Sequence, residues 1–98
     1  MYAQIIRRTP NRERQQETLQ RAGSEFFPML QQAPGFVAFY LVAAEDGQNA
    51  AITIWEDRTQ AEAFGETQQA WMTTLDELGN RRESSTAGEV TAHVTPQR

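Results

Sequence analysis

Residues Pro34–Asp57, PGFVAFYLVAAEDGQNAAITIWED, decide the fold. Two apolar runs, Phe36–Ala44 and Asn49–Trp55, are rich in β-branched and aromatic residues, and Asp46-Gly47 between them is a strong two-residue hairpin signal. With Glu45 opposite Gln48, Leu41 opposes Ile52, Phe39 opposes Ile54, Tyr40 opposes Thr53 and Ala38 opposes Trp55. Side chains alternate along a strand, so this register separates two faces. One carries Val37, Phe39, Leu41, Ala43, Ala50, Ile52 and Ile54, and is expected to pack on the chain's own helices. The other carries Phe36, Ala38, Tyr40, Val42, Ala51, Thr53 and Trp55, and adds hydroxyls and an indole to an apolar surface.

On the N-terminal side, residues 2–8 form a short strand-like run stopped by Pro10, which cannot donate to a ladder. From Arg12 to Gln32 the apolar residues Leu19, Ala22, Phe26, Met29 or Leu30 step by threes and fours, the spacing of one helical face. Pro28 removes the bond back to Ser24, so the helix is expected to kink or restart there, and Pro34-Gly35 ends it. On the C-terminal side, Thr59 and Glu62 have capping-box spacing, which predicts a helix from Gln60 to Leu78 with a bend at Thr73-Thr74 and a stop at Gly79-Asn80. Arg81–Gly88 reads as a polar loop. Glu89–Thr95 alternates and reads as a last strand, with Val90, Ala92 and Val94 on one side and Thr91, His93 and Thr95 on the other.

The resulting order, strand-helix-strand-strand-helix-strand, predicts an α+β, ferredoxin-like βαββαβ domain over residues 1–98: a four-stranded antiparallel sheet with both helices on one face. The uncovered face would expose Phe36, Tyr40, Val42 and Trp55 together. A patch of that kind needs a cover, and a second copy of the chain, sheet against sheet, is the economical one. A homodimer is therefore expected.

Composition narrows the function. The net charge of −4 argues against nucleic acid as a partner. All nine cationic side chains are Arg, so Schiff-base chemistry is excluded, and the absence of Cys excludes thiolate chemistry and Cys-based metal sites. No apolar run approaches the ~20 residues that cross a bilayer, and MYAQIIRRTP lacks the long apolar core of a signal peptide; a cytoplasmic protein is expected. One His and scattered carboxylates offer no metal-ligand spacing, and there is no glycine-rich phosphate loop or nucleophile elbow.

PGFVAFYLV, the Asp-Gly hairpin, AITIWED and TQAEAF resemble the antibiotic biosynthesis monooxygenase (ABM) family of the dimeric α/β-barrel superfamily. The resemblance implies a homodimer whose two sheets form a barrel. It also implies an oxidoreductase activity, cofactor-independent monooxygenation of a small aromatic or polyketide-like molecule, with neither metal nor cofactor. Haem-degrading relatives use a His on the second helix and an Asn on the first strand; this chain has no His between Glu56 and Asn80, and Gln4 but no Asn on its first strand.

Cofactor-free oxygenation needs a substrate that can become a carbanion, a base or enolate-stabilising donors, and exclusion of water. His93 is the candidate base, since histidine is the side-chain type that changes charge near neutral pH. Tyr40 and Trp55 are the candidate donors and stacking partners, and Arg7 or Arg8 match the cavity arginine of such relatives in type. Phe36, Thr53 and Trp71 are candidate substrate contacts. Against these stand simpler roles: interface for Tyr40 and His93, a packed corner for Trp55, core for Trp71. A non-catalytic, homodimeric small-molecule-binding or structural protein of the same fold is the alternative reading.

Overall fold

The computed structural model describes residues 1–97. The strands are β1 (Tyr2–Thr9), β2 (Phe36–Ala43), β3 (Asn49–Trp55) and β4 (Arg81–Glu89). They form one antiparallel sheet in the order β2-β3-β1-β4, the ferredoxin-like arrangement. Between β1 and β2 the chain runs through a 3-10 turn (Arg12–Arg14), α1 (Gln15–Arg21), a π-helical turn (Ala22–Phe26) and α2 (Phe27–Gln32). Between β3 and β4 lie α3 (Arg58–Ala63) and α4 (Gly65–Glu77).

Pro28 sits in the first turn of α2, where its missing N–H costs nothing, and a π-helical turn precedes it. Ala33–Phe36 closes as a turn with Pro34 and the left-handed Gly35 (φ +79°) at its centre. Gly79, at φ +88°, ends the second helical segment: its N–H bonds to the Asp76 carbonyl and the Asn80 N–H to that of Leu75, a Schellman closure. The first cap of that segment is Asp57, not Thr59; its carboxylate accepts the Gln60 N–H at 2.9 Å. The break lies at Phe64-Gly65 rather than Thr73-Thr74, whose hydroxyls bond back to the Gln69 and Ala70 carbonyls without interrupting α4.

The hairpin differs by one residue from the two-residue turn that Asp46-Gly47 predicts. Ala44 donates to the Gln48 carbonyl at 2.8 Å, closing a three-residue loop, Glu45-Asp46-Gly47, with Gly47 at φ +90°. Asp46 Oδ1 accepts the Gln48 N–H and holds the loop. The register becomes Phe39↔Thr53, Leu41↔Ala51 and Tyr40↔Ile52. A slip of one residue turns a whole strand over. Asn49, Ala51, Thr53 and Trp55 therefore face the helices beside Phe39 and Leu41, while Ala50, Ile52 and Ile54 face outward beside Tyr40 and Val42. A bulge between Phe36 and Ala38 brings Phe36 back to the helix side, its ring 5.9 Å from Trp55.

The last strand also differs. Arg81–Gly88, expected as a loop, forms together with Glu89 the edge strand β4, paired with β1 along its length. All nine of its residues are exposed, so nothing apolar alternates along it to be recognised. Glu89–Thr95, expected as the strand, leaves the sheet almost at once: Val90 donates to the Met1 carbonyl, and residues 91–97 form no helix or strand. Val94 is 90% exposed and covers no helix, because the alternating segment has no face of its own chain to bury against.

The core lies between sheet and helices, where Trp55, fully buried, meets Phe26, Leu30, Ala61 and Phe64. Its aromatic rings touch in series: Trp55 on Phe64 (5.2 Å), Phe64 on Phe26 (6.1 Å) and Phe26 edge-on to Phe39 (6.1 Å).

Candidate ligand cavity

A cavity of about 100 Å3 lies next to this core, between the helix face of the sheet and the helical layer. Alternation along the strands supplies its floor: Ile6 and Arg8 from β1, Phe39 and Leu41 from β2, Asn49, Ala51 and Thr53 from β3. Its roof comes from Thr18, Leu19, Ala22, Phe26 and Phe27 on the first helical segment and from Gln68, Trp71, Met72 and Leu75 on α4, with Asn80 at one end. The π-helical turn matters locally. Phe27 donates its N–H to the Ala22 carbonyl, five residues back, and Ala22, Phe26 and Phe27 all reach the cavity. Such turns recur at functional sites because the extra residue re-aims side chains. Trp71 stacks on Phe26 at 5.3 Å with an interplanar angle of 8°, giving the cavity a flat aromatic wall. Leu19 and Leu41 line it while remaining 48% and 45% exposed, and so mark its mouth.

Arg8 is the charged member of the lining and is only 7% exposed. It follows a shift in the β1–β4 register between Arg7 and Arg8. Nη1 donates to Asp76 Oδ1 at 2.9 Å and to the Asn80 carbonyl at 2.7 Å. Nη2 is sealed from solvent and has no hydrogen-bond partner among the described residues. Leaving a buried donor unpaired costs roughly 1–3 kcal/mol, more when it is charged. Asn80 is held in turn, its Oδ1 accepting the Asn11 N–H and its Nδ2 donating to the Leu75 carbonyl. Gln60 Oε1 is also buried without a partner among the described residues, but Gln60 is outside the cavity lining. No lining side chain is a histidine or a carboxylate. Among the described residues no cluster of His, Cys, Asp and Glu could hold a metal, and no helix is long and apolar enough to cross a membrane.

The structure distributes the residues singled out in the sequence among three places. Thr53 and Trp71 line the cavity. Trp55 stands behind it in the core, its Nε1 donating to Gln4 Oε1 at 3.1 Å, and Phe36 packs on Trp55 rather than on the cavity. Tyr40 is 58% exposed on the outward face, and His93 is exposed in the segment after β4. Within one chain His93, Tyr40 and Trp55 are not brought together. Arg8, Asn49 and Gln68 entered the lining unannounced or as one of two arginines. Period-two alternation along β1, with Tyr2, Gln4, Ile6 and Arg8 on one side, was the available signal for Arg8 over Arg7.

No family model matches the chain, and no curated protein matches it. Solved structures do. A Deinococcus radiodurans protein provisionally named an antibiotic biosynthesis monooxygenase superposes with a TM-score of 0.76 at 14% identity, over 100% of both chains. SnoaB, a cofactor-independent oxygenase from Streptomyces nogalater solved as its N63A mutant, gives 0.69 at 16% identity over 97% of each chain. A monooxygenase from the gene ActVA-Orf6 of Streptomyces coelicolor, in complex with nanaomycin D, gives 0.68 at 14% identity, over 98% of this chain and 92% of that one. At these identities the likeness establishes the shared fold: over its whole length this chain has the α+β ferredoxin-like fold of proteins named antibiotic biosynthesis monooxygenases.

Proposed function

We propose that the cavity binds a small, flat, aromatic molecule, and that the chain works as a homodimer oxidising that molecule with dioxygen and no resident cofactor. The observation that carries the binding reading is the stacked Trp71–Phe26 wall over a floor of Phe39, Leu41 and Ala51. The volume of about 100 Å3 is below the roughly 300–1,000 Å3 of drug-sized sites and favours one ring over a polyketide-sized ring system. Structural neighbours named as a cofactor-independent oxygenase and a nanaomycin D-bound monooxygenase support the chemistry. In the balanced reaction a phenol takes up one dioxygen, one oxygen atom enters the ring to give a quinone, and the other leaves as water.

The lining offers donors but no base, so such a substrate must ionise readily by itself. That same lack is the specific observation favouring a non-catalytic binding protein as the second reading. His93, Tyr40 and Trp55 enter the chemistry only in a restricted form. Trp55 shapes the core behind the cavity, and Tyr40 and His93 reach a cavity only if a partner chain carries them there. The dimer is proposed through the outward face, where Val37, Tyr40 and Val42 are 46%, 58% and 44% exposed beside Ile52 and Ile54.

An oxygen electrode separates the two readings. With a panel of single-ring phenols, uptake above the protein-free rate and equal to the quinone formed supports the oxygenase. Quenching of Trp71 fluorescence without oxygen uptake leaves the binding protein.

A further inference from the structure

We propose that Thr53 Oγ1 reads an oxygen on the ring of the ligand, so that the cavity selects phenols, held hydroxyl end first, over rings without an oxygen. The proposal rests on the reading that this cavity takes a small aromatic molecule, and adds the substituent the molecule must carry and the end by which it is held. The polar side chains of the lining, the Trp71 indole apart, are Arg8, Thr18, Asn49, Thr53, Gln68 and Asn80. Thr18 donates its hydroxyl hydrogen to the Arg14 carbonyl at 2.8 Å. Asn80 spends both ends of its amide, on the Asn11 N–H and the Leu75 carbonyl. Arg8 spends Nη1 on Asp76 and the Asn80 carbonyl, and its Nη2 is sealed from cavity and solvent alike. Asn49, Thr53 and Gln68 remain, with no side-chain hydrogen bond among the described residues. Asn49 and Gln68 are partly exposed and can bond to water; Thr53 is only 8% exposed.

Across the strands Thr53 is flanked by Phe39, which has no polar group, and by Gln4, whose Oε1 already accepts the Trp55 indole N–H at 3.1 Å. Buried hydroxyls are almost always hydrogen-bonded. Thr53 Oγ1 is not, and unlike Arg8 Nη2 it is not sealed; the free space beside it is the cavity. Its position sets the direction of the ligand. Leu41, at the mouth, is opposite Ala51, and Thr53 lies two residues, about 7 Å of strand rise, further toward the fully buried Trp55. A ring entering past Leu41 and lying along the Trp71–Phe26 wall therefore leads with one edge toward Thr53. A hydroxyl has one hydrogen to give and two lone pairs to offer. Thr53 can accept from a phenol and, by turning, donate to the same oxygen once it has ionised or become a quinone carbonyl. One side chain thus serves substrate, anion and product.

Phenol and toluene test this, since they share a ring and a size and differ in the oxygen. Both are titrated at neutral pH, where phenol is uncharged, into the wild-type protein, Thr53→Val and Thr53→Ser. The readout is the fluorescence of Trp71, which lines the cavity, excited to the red of phenol's own absorption. Thr53→Val keeps the shape and loses the hydroxyl. In it phenol is expected to bind at least about fivefold more weakly, the size of one neutral hydrogen bond, with toluene within about twofold of wild type. Thr53→Ser, which keeps a hydroxyl, recovers most of the affinity for phenol. Phenol binding unchanged in Thr53→Val, phenol and toluene weakened alike, or phenol as weak in Thr53→Ser as in Thr53→Val overturns the role of the hydroxyl and leaves the aromatic cavity standing. Failure of both rings to bind the wild type overturns the cavity reading and this proposal with it. Should Thr53→Val fail to fold, the wild-type protein still decides: the Thr53 methyl resonance shifts further with phenol than with toluene. Equal shifts overturn the proposal.

Discussion

Between Thr53 and Ile52, neighbours on β3, the sheet changes character. Thr53 faces a layer of aromatic rings and a cavity; Ile52 faces outward beside Tyr40 and Val42. Both sides of the β2–β3 hairpin are apolar, so hydrophobicity alone does not say which is inside. The inner face is aromatic and covered by the helices, and it gains its stability within one chain. The outer face is aliphatic apart from Tyr40, and Val37, Tyr40 and Val42 on it stay exposed. An apolar pattern on both sides of a strand thus leaves open which side the chain's own helices cover.

Substitutions on the two faces should therefore behave differently. Trp55→Ala on the inner face removes a fully buried indole and its bond to Gln4, and is expected to cost about 3–5 kcal/mol in urea unfolding, independent of protein concentration. Tyr40→Ala on the outer face should change monomer stability by less than about 1 kcal/mol. Equal losses would erase the distinction between the faces.

A charge at the centre of the outer face comes next in size. Ile52→Asp is expected to raise the dimer dissociation constant at least about 100-fold, a change of roughly 2.7 kcal/mol, and to yield a folded monomer by light scattering at micromolar concentration. A wild-type protein that is already monomeric would contradict the pairing of outer faces.

The smallest effect belongs to neither face. Hydrogen bonds from Arg14 to Glu17, Arg21 to Glu25 and Arg81 to Glu83 hold these carboxyls below their usual range. What they contribute is present above the ordinary carboxylate range and is lost as pH falls through the lowered values. Because all six side chains lie on the surface, acid unfolding should barely respond to Glu17→Gln. A large response would mean that the helical layer depends on its surface ion pairs.

Element types and order were legible because they depend on local rules. Pro10, Pro28, Pro34-Gly35 and Gly79-Asn80 mark ends through φ restrictions and missing donors, and the four-residue spacing of Ala22, Phe26 and Leu30 marks a buried helical stripe. The cavity was legible only in part. Thr53 and Trp71, singled out as substrate contacts, line the cavity, but Thr53 was placed on the wrong side of the sheet, because its side follows from a turn one residue longer than Asp46-Gly47 indicates. Arg8 carries no local mark separating it from Arg7; its burial comes from Asp76 and Asn80, far away in the chain.

Element order, βαββαβ, and the places where elements end could be read from the chain alone, since period and punctuation are short-range properties of the backbone. Tertiary structure alone decided the rest. It chose a three-residue loop at Glu45–Gly47 because that register buries Trp55 against Phe26 and Phe64. It assigned the last strand to Arg81–Glu89 because β1 had an open edge to pair, although the alternating pattern lies further on. Pairing partners and covered faces are long-range choices, settled by which arrangement satisfies the most backbone groups and buries the largest rings.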